Sequence, residues 1–289
     1  MNPLFVAEVS SNHNQDLQRC FELIDKAAKI GCDAVKFQLF KINELFAPEI
    51  LKRSAEHRKR RQWELPVEFL PELAAHCQQK DIKFSCTPFY LKAVEELLPY
   101  VDFYKIASYE LLWSDLLKAC AQTGKPVVLS TGMATIPEVE SAVITLREAR
   151  CTELTLLHCI SDYPAPAHVC NLAVMAELRE IGHCAVGWSD HSGEAGVIYN
   201  AIFKWQAEMI EFHIDLDGYG AEFQTGHCWL PEQMQHIIHN VRMGFKANGN
   251  GQKILTKKEE QERDWRADPE DGLRPFKHVR RAFGNRKPN

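Results

Sequence analysis

The 289-residue sequence predicts an α/β protein that folds as a (β/α)8 barrel, the TIM barrel. Eight short runs rich in apolar residues follow one another along the chain, and segments with helical spacing of apolar residues separate them. Strands that are apolar on both faces and alternate with helices are typical of a buried parallel sheet. Eight such units within about 250 residues favour a closed barrel over an open sheet.

The elements can be placed along the chain in order. Helical periodicity is visible between the strands, for example in QRCFELIDKAAKIGC and EVESAVITLREAR. The segment AEVSSNHNQD at the end of the first strand lacks the G-x-G-x-x-G fingerprint of a dinucleotide-binding fold. Residues 231–247 predict a closing helix with Pro231 in its first turn. The strands are predicted at residues 4–9, 33–40, 82–86, 102–107, 126–130, 154–159, 185–189 and 208–213.

Composition indicates a soluble, cytoplasmic protein. Hydrophobic residues make up 45% of the sequence and charged residues 25%, as in globular proteins with a sizeable core. No apolar stretch is long enough to span a membrane, and the N-terminus lacks a basic region followed by an apolar core. The ten cysteines include no C-x-x-C pair and lie mostly in apolar segments, so we expect buried free thiols and not disulfides or a zinc site.

The charge distribution divides the chain. Residues 1–250 are predicted to form the barrel, and residues 251–289 a basic C-terminal extension without a separate domain. From residue 252 onward there are eleven Lys/Arg and seven Asp/Glu, against 23 and 32 before it. Such a tail either contacts an anionic substrate or a partner subunit, or is simply solvated. Because no arginine-rich surface with interleaved aromatics is present, we expect small-molecule substrates and neither nucleic acid nor a membrane as partners.

Polar or ionisable residues stand at the end of every predicted strand. Active-site groups of this barrel gather at the carboxyl ends of the strands, so these residues predict a site there. In chain order they are Glu8; Lys36 and Gln38; Thr87; Lys105, Ser108 and Glu110; Ser130 and Thr131; His158, Ser161 and Tyr163; Ser189, Asp190 and His191; and His213.

Two lysines, Lys36 and Lys105, interrupt apolar strands. Each is either an edge residue that reaches water or a buried charge that needs a partner or an anion. Two lysines facing one barrel mouth suit a ligand that carries both a phosphate and a carboxylate. Neighbouring hydroxyls would add hydrogen bonds to the same anion, although each is also typical of a turn or a helix cap. These hydroxyls belong to Thr87, Ser108, Ser130 and Ser189.

His191 and His213 close the adjacent seventh and eighth strands. Each alone is more often a structural imidazole, but side chains so placed can converge on one ion. Two imidazoles with waters and a substrate oxygen suit Mn²⁺, with Mg²⁺ or Co²⁺ as the alternatives. The segment GHCW at residues 226–229 holds a single His-Cys pair, which is too little for a zinc site.

Eight segments form a specific set when they are taken in order over about residues 4 to 217. They are FVAEVSSNHNQD, DAVKFQLF, FSCTPF, YKIASYE, LSTGMAT, LLHCISDYP, VGWSDHS and IEFHIDLD. Together they resemble the successive motifs of the N-acetylneuraminate synthase family. The resemblance implies a (β/α)8 barrel with a divalent metal that condenses phosphoenolpyruvate with an aldose to a nine-carbon 2-keto sugar acid.

The resemblance also implies roles for individual residues. His191 and His213 match the family's metal-binding histidines, and Glu8 matches a first-strand glutamate that we expect to handle protons. Lys36 and Lys105 are expected to be catalytic because they hold the donor. The residues that match contacts to the acceptor sugar are Gln38, Glu110 and Tyr163. Those that match contacts to phosphoenolpyruvate are Lys36, Thr87, Lys105, Ser108, Ser130 and Ser189, with Ser161 where some members have asparagine.

The implied reaction explains these residue types. The enol carbon of phosphoenolpyruvate attacks the aldehyde carbon of the open-chain sugar, and a bound divalent metal supplies Lewis acidity where negative charge develops on the aldehyde. Water adds at C2 of phosphoenolpyruvate, where positive charge builds up, and phosphate leaves by C–O cleavage. The two lysines act chiefly by positioning the donor.

Two features depart from the family pattern, and both concern the acceptor. Family synthases usually carry a C-terminal antifreeze-like domain with an arginine for the sugar; we expect none here, and the tail RADPEDGLRPFKHVRR is the candidate source of a replacement. After strand eight the family pattern is roughly GPDH, with an aspartate that contacts the sugar. This chain reads YGAEFQTGHCWLP, with Glu222 as a loose substitute. The sequence therefore supports phosphoenolpyruvate more than any particular acceptor, which we expect to be N-acetylmannosamine-like or a related amino sugar.

Two other functions stay open. One is a pyruvate-dependent lyase or class I aldolase in which Lys105 or Lys36 forms a Schiff base, which would leave the histidine pair without a role. The other is a non-catalytic barrel that binds phosphoenolpyruvate. A homodimer is expected from the resemblance alone.

Overall fold

The computed structural model describes residues 2–284 and confirms the predicted barrel. Eight parallel strands follow one another in chain order, and β1 pairs with β8 to close the ring. A short ninth strand pairs in parallel with the end of β8. The strands are β1 Leu4–Glu8, β2 Ala34–Leu39, β3 Lys83–Pro88, β4 Phe103–Ile106, β5 Val127–Ser130, β6 Leu154–His158, β7 Ala185–Asp190, β8 Met209–Ile214 and β9 Cys228–Trp229.

Helices connect the strands, and the predicted closing helix spans residues 231–247 as expected. Short 3₁₀ helices lie at Arg60–Trp63, Val67–Phe69, Ser108–Glu110, Ala167–Val169 and Arg263–Trp265. The α-helices are α1 Leu17–Ile30, α2 Ile42–Leu45, α3 Pro48–Arg53, α4 Ala55–Lys59, α5 Leu70–Gln79, α6 Leu91–Leu97, α7 Ser114–Gln122, α8 Ile136–Glu148, α9 Val174–Gly182, α10 Ala195–Phe203, α11 Ala221–Thr225, α12 Pro231–Ala247, α13 Lys257–Glu262 and α14 Lys277–Gly284.

The first helix shows how the sequence sets these elements. The Asp16 carboxylate caps the start of α1 by accepting hydrogen bonds from two backbone N–H groups of the first turn. Gly31 ends the helix in the left-handed region, at φ 93°, which glycine adopts without a Cβ penalty. Between these ends, the buried positions recur three or four residues apart, so one stripe of α1 packs onto the barrel. They are Cys20, Leu23, Ile24, Ala27 and Ile30.

The interior of the barrel changes from apolar to polar along the strands. Side chains two positions apart on a strand point to the same face. Five strands use this spacing to place first an apolar and then a polar side chain inside the ring. The apolar members Val6, Ala34, Phe103, Val128 and Met209 form one buried cluster with Leu157. The polar members, each at most 3% exposed, are Glu8, Lys36, Lys105, Ser130 and Glu211.

The chain divides into two compact units, one up to Phe245 and the other from Lys246. In the second unit the Asp268 carboxylate accepts hydrogen bonds from backbone N–H groups, and Arg280 pairs with Asp271 at 2.7 Å. The predicted organisation, a barrel over residues 1–250 with an extension over 251–289, stays a prediction.

The cysteines are all free thiols, as the sequence predicts, and nine of the ten are buried. Burial raises the pKa of these buried thiols, for example that of Cys170 to about 11. Within residues 2–284, no helix combines the length and the apolarity that a membrane crossing needs.

Candidate active site

A network of buried charges crosses the carboxyl end of the barrel, with Glu211 of β8 at its centre. One carboxylate oxygen of Glu211 lies 3.2 Å from Lys105 Nζ and accepts a 3.0 Å hydrogen bond from the Ser189 hydroxyl. The other oxygen lies 3.9 Å from Lys36 Nζ. The two lysines predicted from the sequence therefore face one shared carboxylate.

The electrostatics of the network keep most of its groups charged. Burial alone would raise the pKa of Glu211, but Lys105 and Lys36 outweigh burial and hold that pKa well below its usual range. For Lys36, burial acts in the opposite direction and would lower the pKa, but Glu211 and Glu8 outweigh burial and raise it. For Lys105, burial prevails and lowers the pKa, with Glu211 opposing it. The site thus holds a firmly charged lysine beside one that loses its proton more readily.

Lys36 is held from the side of β1 and β3 as well. It forms an ion pair with Glu8 and donates a 3.2 Å hydrogen bond to the Thr87 hydroxyl. The Gln38 side-chain amide in turn donates to Glu8 at 2.7 Å and to Ser10 at 3.3 Å. These contacts fix the direction of the Lys36 ammonium, since each of its neighbours is itself anchored.

A group of serines surrounds Gly132, next to the charge network. The Gly132 N–H donates a 2.9 Å hydrogen bond to the Ser108 hydroxyl. A Cβ at residue 132 would lie 2.5 Å from Ser161 Oγ and 2.9 Å from Ser108 Oγ, so only glycine leaves this space open. Within the described chain, the buried hydroxyls of Ser130 and Ser161 have no hydrogen-bond partner. Unsatisfied buried hydroxyls are costly, and the oxygens of an anion would satisfy them.

Glu110 and Tyr163 lie at the rim of the same mouth. The Glu110 side chain is 7% exposed, and burial raises its pKa to about 7, although Lys105 opposes the shift. A carboxyl group with that pKa exchanges a proton near neutral pH. Tyr163 is 39% exposed, and its ring packs against that of His191 with the centroids 4.3 Å apart.

The two predicted metal ligands are neighbours. The rings of His191 and His213 have centroids 5.4 Å apart. His191 Nδ1 donates to the Ile160 carbonyl oxygen at 2.7 Å, and His213 Nδ1 contacts the Glu222 carboxylate at 2.6 Å. Because a carbonyl or carboxylate oxygen only accepts, both Nδ1 atoms carry protons, and each ring when neutral presents its Nε2 lone pair. This is the arrangement in which metal-binding imidazoles are usually held.

Comparison with known proteins places this barrel in a family. A sequence model of the NeuB family matches residues 23–253, which is most of the chain. The chain belongs to the NeuB family. It is 34% identical to the N,N'-diacetyllegionaminic acid synthase of Campylobacter jejuni over 270 residues, which cover 89% of this chain and 80% of that protein. It is 32% identical to the N-acetylneuraminate-9-phosphate synthase of Drosophila melanogaster, with 84% and 68% covered.

Solved structures of other proteins show the same fold. The N-acetylneuraminic acid (sialic acid) synthetase of Leptospira borgpetersenii, solved with citrate, superposes with a TM-score of 0.79 at 28% identity and covers 91% of each chain. A 3-deoxy-D-arabino-heptulosonate 7-phosphate synthase from Thermotoga maritima shares the fold at 14% identity, with a TM-score of 0.67 over 86% and 88% of the chains.

Apart from Glu110 and Ser130, the residues that the NeuB resemblance singled out fall into three groups in the structure. Glu110 Oε2 and Ser130 Oγ are buried without a hydrogen-bond partner within residues 2–284. The groups are the charge network of Glu8, Lys36, Gln38, Thr87, Lys105 and Ser189; the serines around Gly132, Ser108 and Ser161; and the ring cluster of Tyr163, His191 and His213.

The sequence patterns do not assign three residues of this candidate site, Glu211, Glu222 and His227. Glu211 carries the same signal as Lys36, a charge within an apolar strand, but it stands two residues before the strand end. His227 belongs to the GHCW segment, whose single His-Cys pair is too little for a zinc site, so the sequence alone gives this histidine no role. In the structure its neighbours are His213 and Glu222, and the ligand atoms of these three residues lie within 4.8 Å of one another. The sequence alone indicates Glu222 only as a loose substitute for an aspartate that contacts the sugar.

Proposed function

We propose that this protein condenses phosphoenolpyruvate with an aldose, N-acetylmannosamine-like or a related amino sugar, to a 2-keto sugar acid and inorganic phosphate. The observation that carries the proposal is the buried pair Lys36 and Lys105 around the Glu211 carboxylate. Unsatisfied hydroxyls and a histidine pair also follow strands of this barrel. Membership of the NeuB family, whose relatives include sugar acid synthases, supports the reaction class.

The donor side follows from charge and hydrogen bonding. Two buried ammonium groups need counter-charges before a substrate arrives, and Glu8 and Glu211 provide them. The oxygens of phosphoenolpyruvate then pair with Lys36 and Lys105 and accept from the serines around Gly132. The remaining proposed contacts are Thr87 and Ser189, which already hydrogen-bond within the charge network.

The metal side rests on His191 and His213, whose Nε2 atoms would hold a divalent ion, Mn²⁺ in our proposal and Mg²⁺ or Co²⁺ as alternatives. The ion supplies Lewis acidity toward the aldehyde when it is bound. Glu222 fixes the ring of His213 from the Nδ1 side, and the Ile160 carbonyl does the same for His191. Burial also lowers the pKa of His191 to about 3, with His213 acting in the same direction, so this imidazole stays neutral.

The acceptor side and the proton transfers involve the remaining residues. Gln38, Glu110 and Tyr163 would contact the sugar, as the resemblance to the family implies. Water that attacks C2 of phosphoenolpyruvate loses a proton, and we assign its acceptance to Glu8, which lies against the Lys36 ammonium. The Gln38 amide holds the other oxygen of Glu8 at 2.7 Å and so directs the carboxylate.

The test is phosphate release from phosphoenolpyruvate with a panel of hexosamines and Mn²⁺, each component being omitted in turn. We expect release only when all three are present. His191→Ala and His213→Ala should abolish it, while His239→Ala, on the exposed side of α12, should not. Unchanged release in either of the first two variants would remove the metal assignment. Binding of phosphoenolpyruvate without turnover on any aldose would favour a non-catalytic barrel.

One observation favours a Schiff-base lyase as the second candidate. Lys105 is 3% exposed and its pKa is lowered, as a nucleophilic lysine requires. The Glu211 carboxylate 3.2 Å away acts in the opposite direction, because it stabilises the ammonium form. Borohydride reduction in the presence of pyruvate separates the two functions: a covalent adduct on Lys105 supports the lyase, and phosphate release without an adduct supports the synthase.

A further inference from the structure

A third imidazole lies beside the proposed metal ligands. His227 stands between α11 and β9 and is 6% exposed. Its ring centroid is 5.0 Å from that of His213 and 5.0 Å from that of Tyr163. Its Nε2 lies 3.7 Å from a carboxylate oxygen of Glu222. Imidazole rings bonded to one ion at about 2.1 Å have centroids roughly 5 Å apart. The spacings of 5.0 Å between His227 and His213 and of 5.4 Å between His191 and His213 therefore suit a shared ion.

The hydrogen bonds of His227 determine which ring nitrogen is available. The Thr225 hydroxyl has one proton, which it donates to the Glu222 carbonyl oxygen at 2.8 Å. Its 2.8 Å contact with His227 Nδ1 therefore uses the hydroxyl as an acceptor, and Nδ1 carries the proton. The neutral ring then has its lone pair on Nε2, the nitrogen that faces Glu222. His191 and His213 have the same arrangement, with Nδ1 donating to an oxygen.

We propose that His227 is a third imidazole ligand of the divalent ion, so that this chain holds its ion through His191, His213 and His227. The inference rests on the proposed function, because the ion is the one assigned there to the first two histidines. Glu222 accompanies the set by orienting His213 and by placing a negative charge beside His227.

The third nitrogen has a consequence for the choice of ion. Three imidazoles with open positions are typical of catalytic zinc sites, and nitrogen-rich sites bind Co²⁺, Ni²⁺ and Zn²⁺ more tightly than Mn²⁺. We therefore expect the purified full-length protein to rank Zn²⁺ and Co²⁺ above Mn²⁺ by a larger margin than a site with two imidazoles would.

The experiment uses His227→Asn, whose amide nitrogen stands where Nδ1 does and preserves the contact with Thr225, while the ligand nitrogen is lost. His239→Asn, exposed on α12, is the matched control. Metal-depleted protein is titrated with Co²⁺ in a calorimeter, and imidazole nitrogens are counted on the Cu²⁺-loaded protein by electron spin-echo modulation. We expect three imidazoles in the wild type and the control, two in His227→Asn, and a loss of Co²⁺ affinity of about 100-fold or more.

Two imidazoles in the wild type, with unchanged Co²⁺ affinity in His227→Asn, would overturn the inference and leave the metal assignment of His191 and His213 intact. A wild type that binds no divalent ion would overturn both. Thr225→Val provides a second measurement that does not remove the ligand. It loosens the anchor of Nδ1, so we expect three imidazoles and about a tenfold weaker affinity; two imidazoles with an unchanged affinity would indicate that His227 only packs.

Discussion

Glu211→Gln removes the carboxylate that both site lysines share. Glutamine keeps the shape and the hydrogen bond with Ser189, so the change is mainly one of charge. In the described part of the chain, Lys105 has no other carboxylate within ion-pair distance, whereas Lys36 retains Glu8. Removing one partner of a buried ion pair costs about 3–5 kcal/mol, because the other charge is left uncompensated. Since Lys36 stays paired, we expect the lower end, about 3 kcal/mol of unfolding free energy.

For a chain of this size, 1 kcal/mol corresponds to about 2–4 °C, so the expected decrease in melting temperature is about 6–12 °C. Scanning calorimetry in dilute buffer measures it, with the exposed Glu232→Gln on α12 as the control. Phosphoenolpyruvate should stabilise the variant more than the wild type, since the bound anion replaces the lost counter-charge. A loss of less than about 1 kcal/mol of unfolding free energy would contradict the role assigned to Glu211, because even exposed surface ion pairs contribute up to that amount.

Three further predictions concern glycines and Glu110. Gly132→Ala fills the space between the serines and should weaken phosphoenolpyruvate binding at least about tenfold in calorimetric titration, whereas Gly196→Ala, whose Cβ meets nothing within 4 Å, should not. Gly187→Ala puts a Cβ 2.2 Å from a carbonyl oxygen of β8 and should prevent soluble expression. Glu110 has a pKa of about 7 in the folded state against 4.5 ordinarily, so the folded state holds more protons between these values and loses stability as pH rises. Glu110→Gln should therefore raise the free energy of unfolding by about 3 kcal/mol at pH 8 and by little at pH 4, as measured by urea unfolding. An equal increase at both pH values, or the same increase in the exposed Glu148→Gln, would contradict this.

The barrel and the position of its candidate site could be predicted because both follow from local patterns. A strand buried on both faces reads as an apolar run, and a lysine within such a run marks a charge inside the ring, as at Lys36 and Lys105. The same reasoning applies to Glu211, which is a charged residue within an apolar strand and is as buried as the two lysines. The sequence does not single it out, because it stands two residues before His213, where the predicted strand ends.

His227 and Glu222 were harder to assign because their positions depend on contacts between distant parts of the chain. The end of β8 and the residue after it contact the segment that follows β1: the Asn12 amide donates to the Ile214 carbonyl at 2.8 Å, and Arg19 in the first turn of α1 pairs with Asp215 at 2.9 Å. These contacts join residues about two hundred positions apart. No periodicity in the sequence reports them.

The geometry of Glu222 changes what the departure from the family pattern means. One of its carboxylate oxygens accepts from the Ser11 hydroxyl at 2.8 Å, and the other contacts His213 Nδ1 at 2.6 Å. Both oxygens of Glu222 thus contact residues of the chain itself, and the contact with His213 gives this carboxylate an orienting role that the sequence pattern does not indicate. The pKa of Glu222 is held well below its usual value, because His213 outweighs the effect of burial, and the group stays an anion beside the imidazoles. The loop after β8 therefore supplies a carboxylate that orients His213.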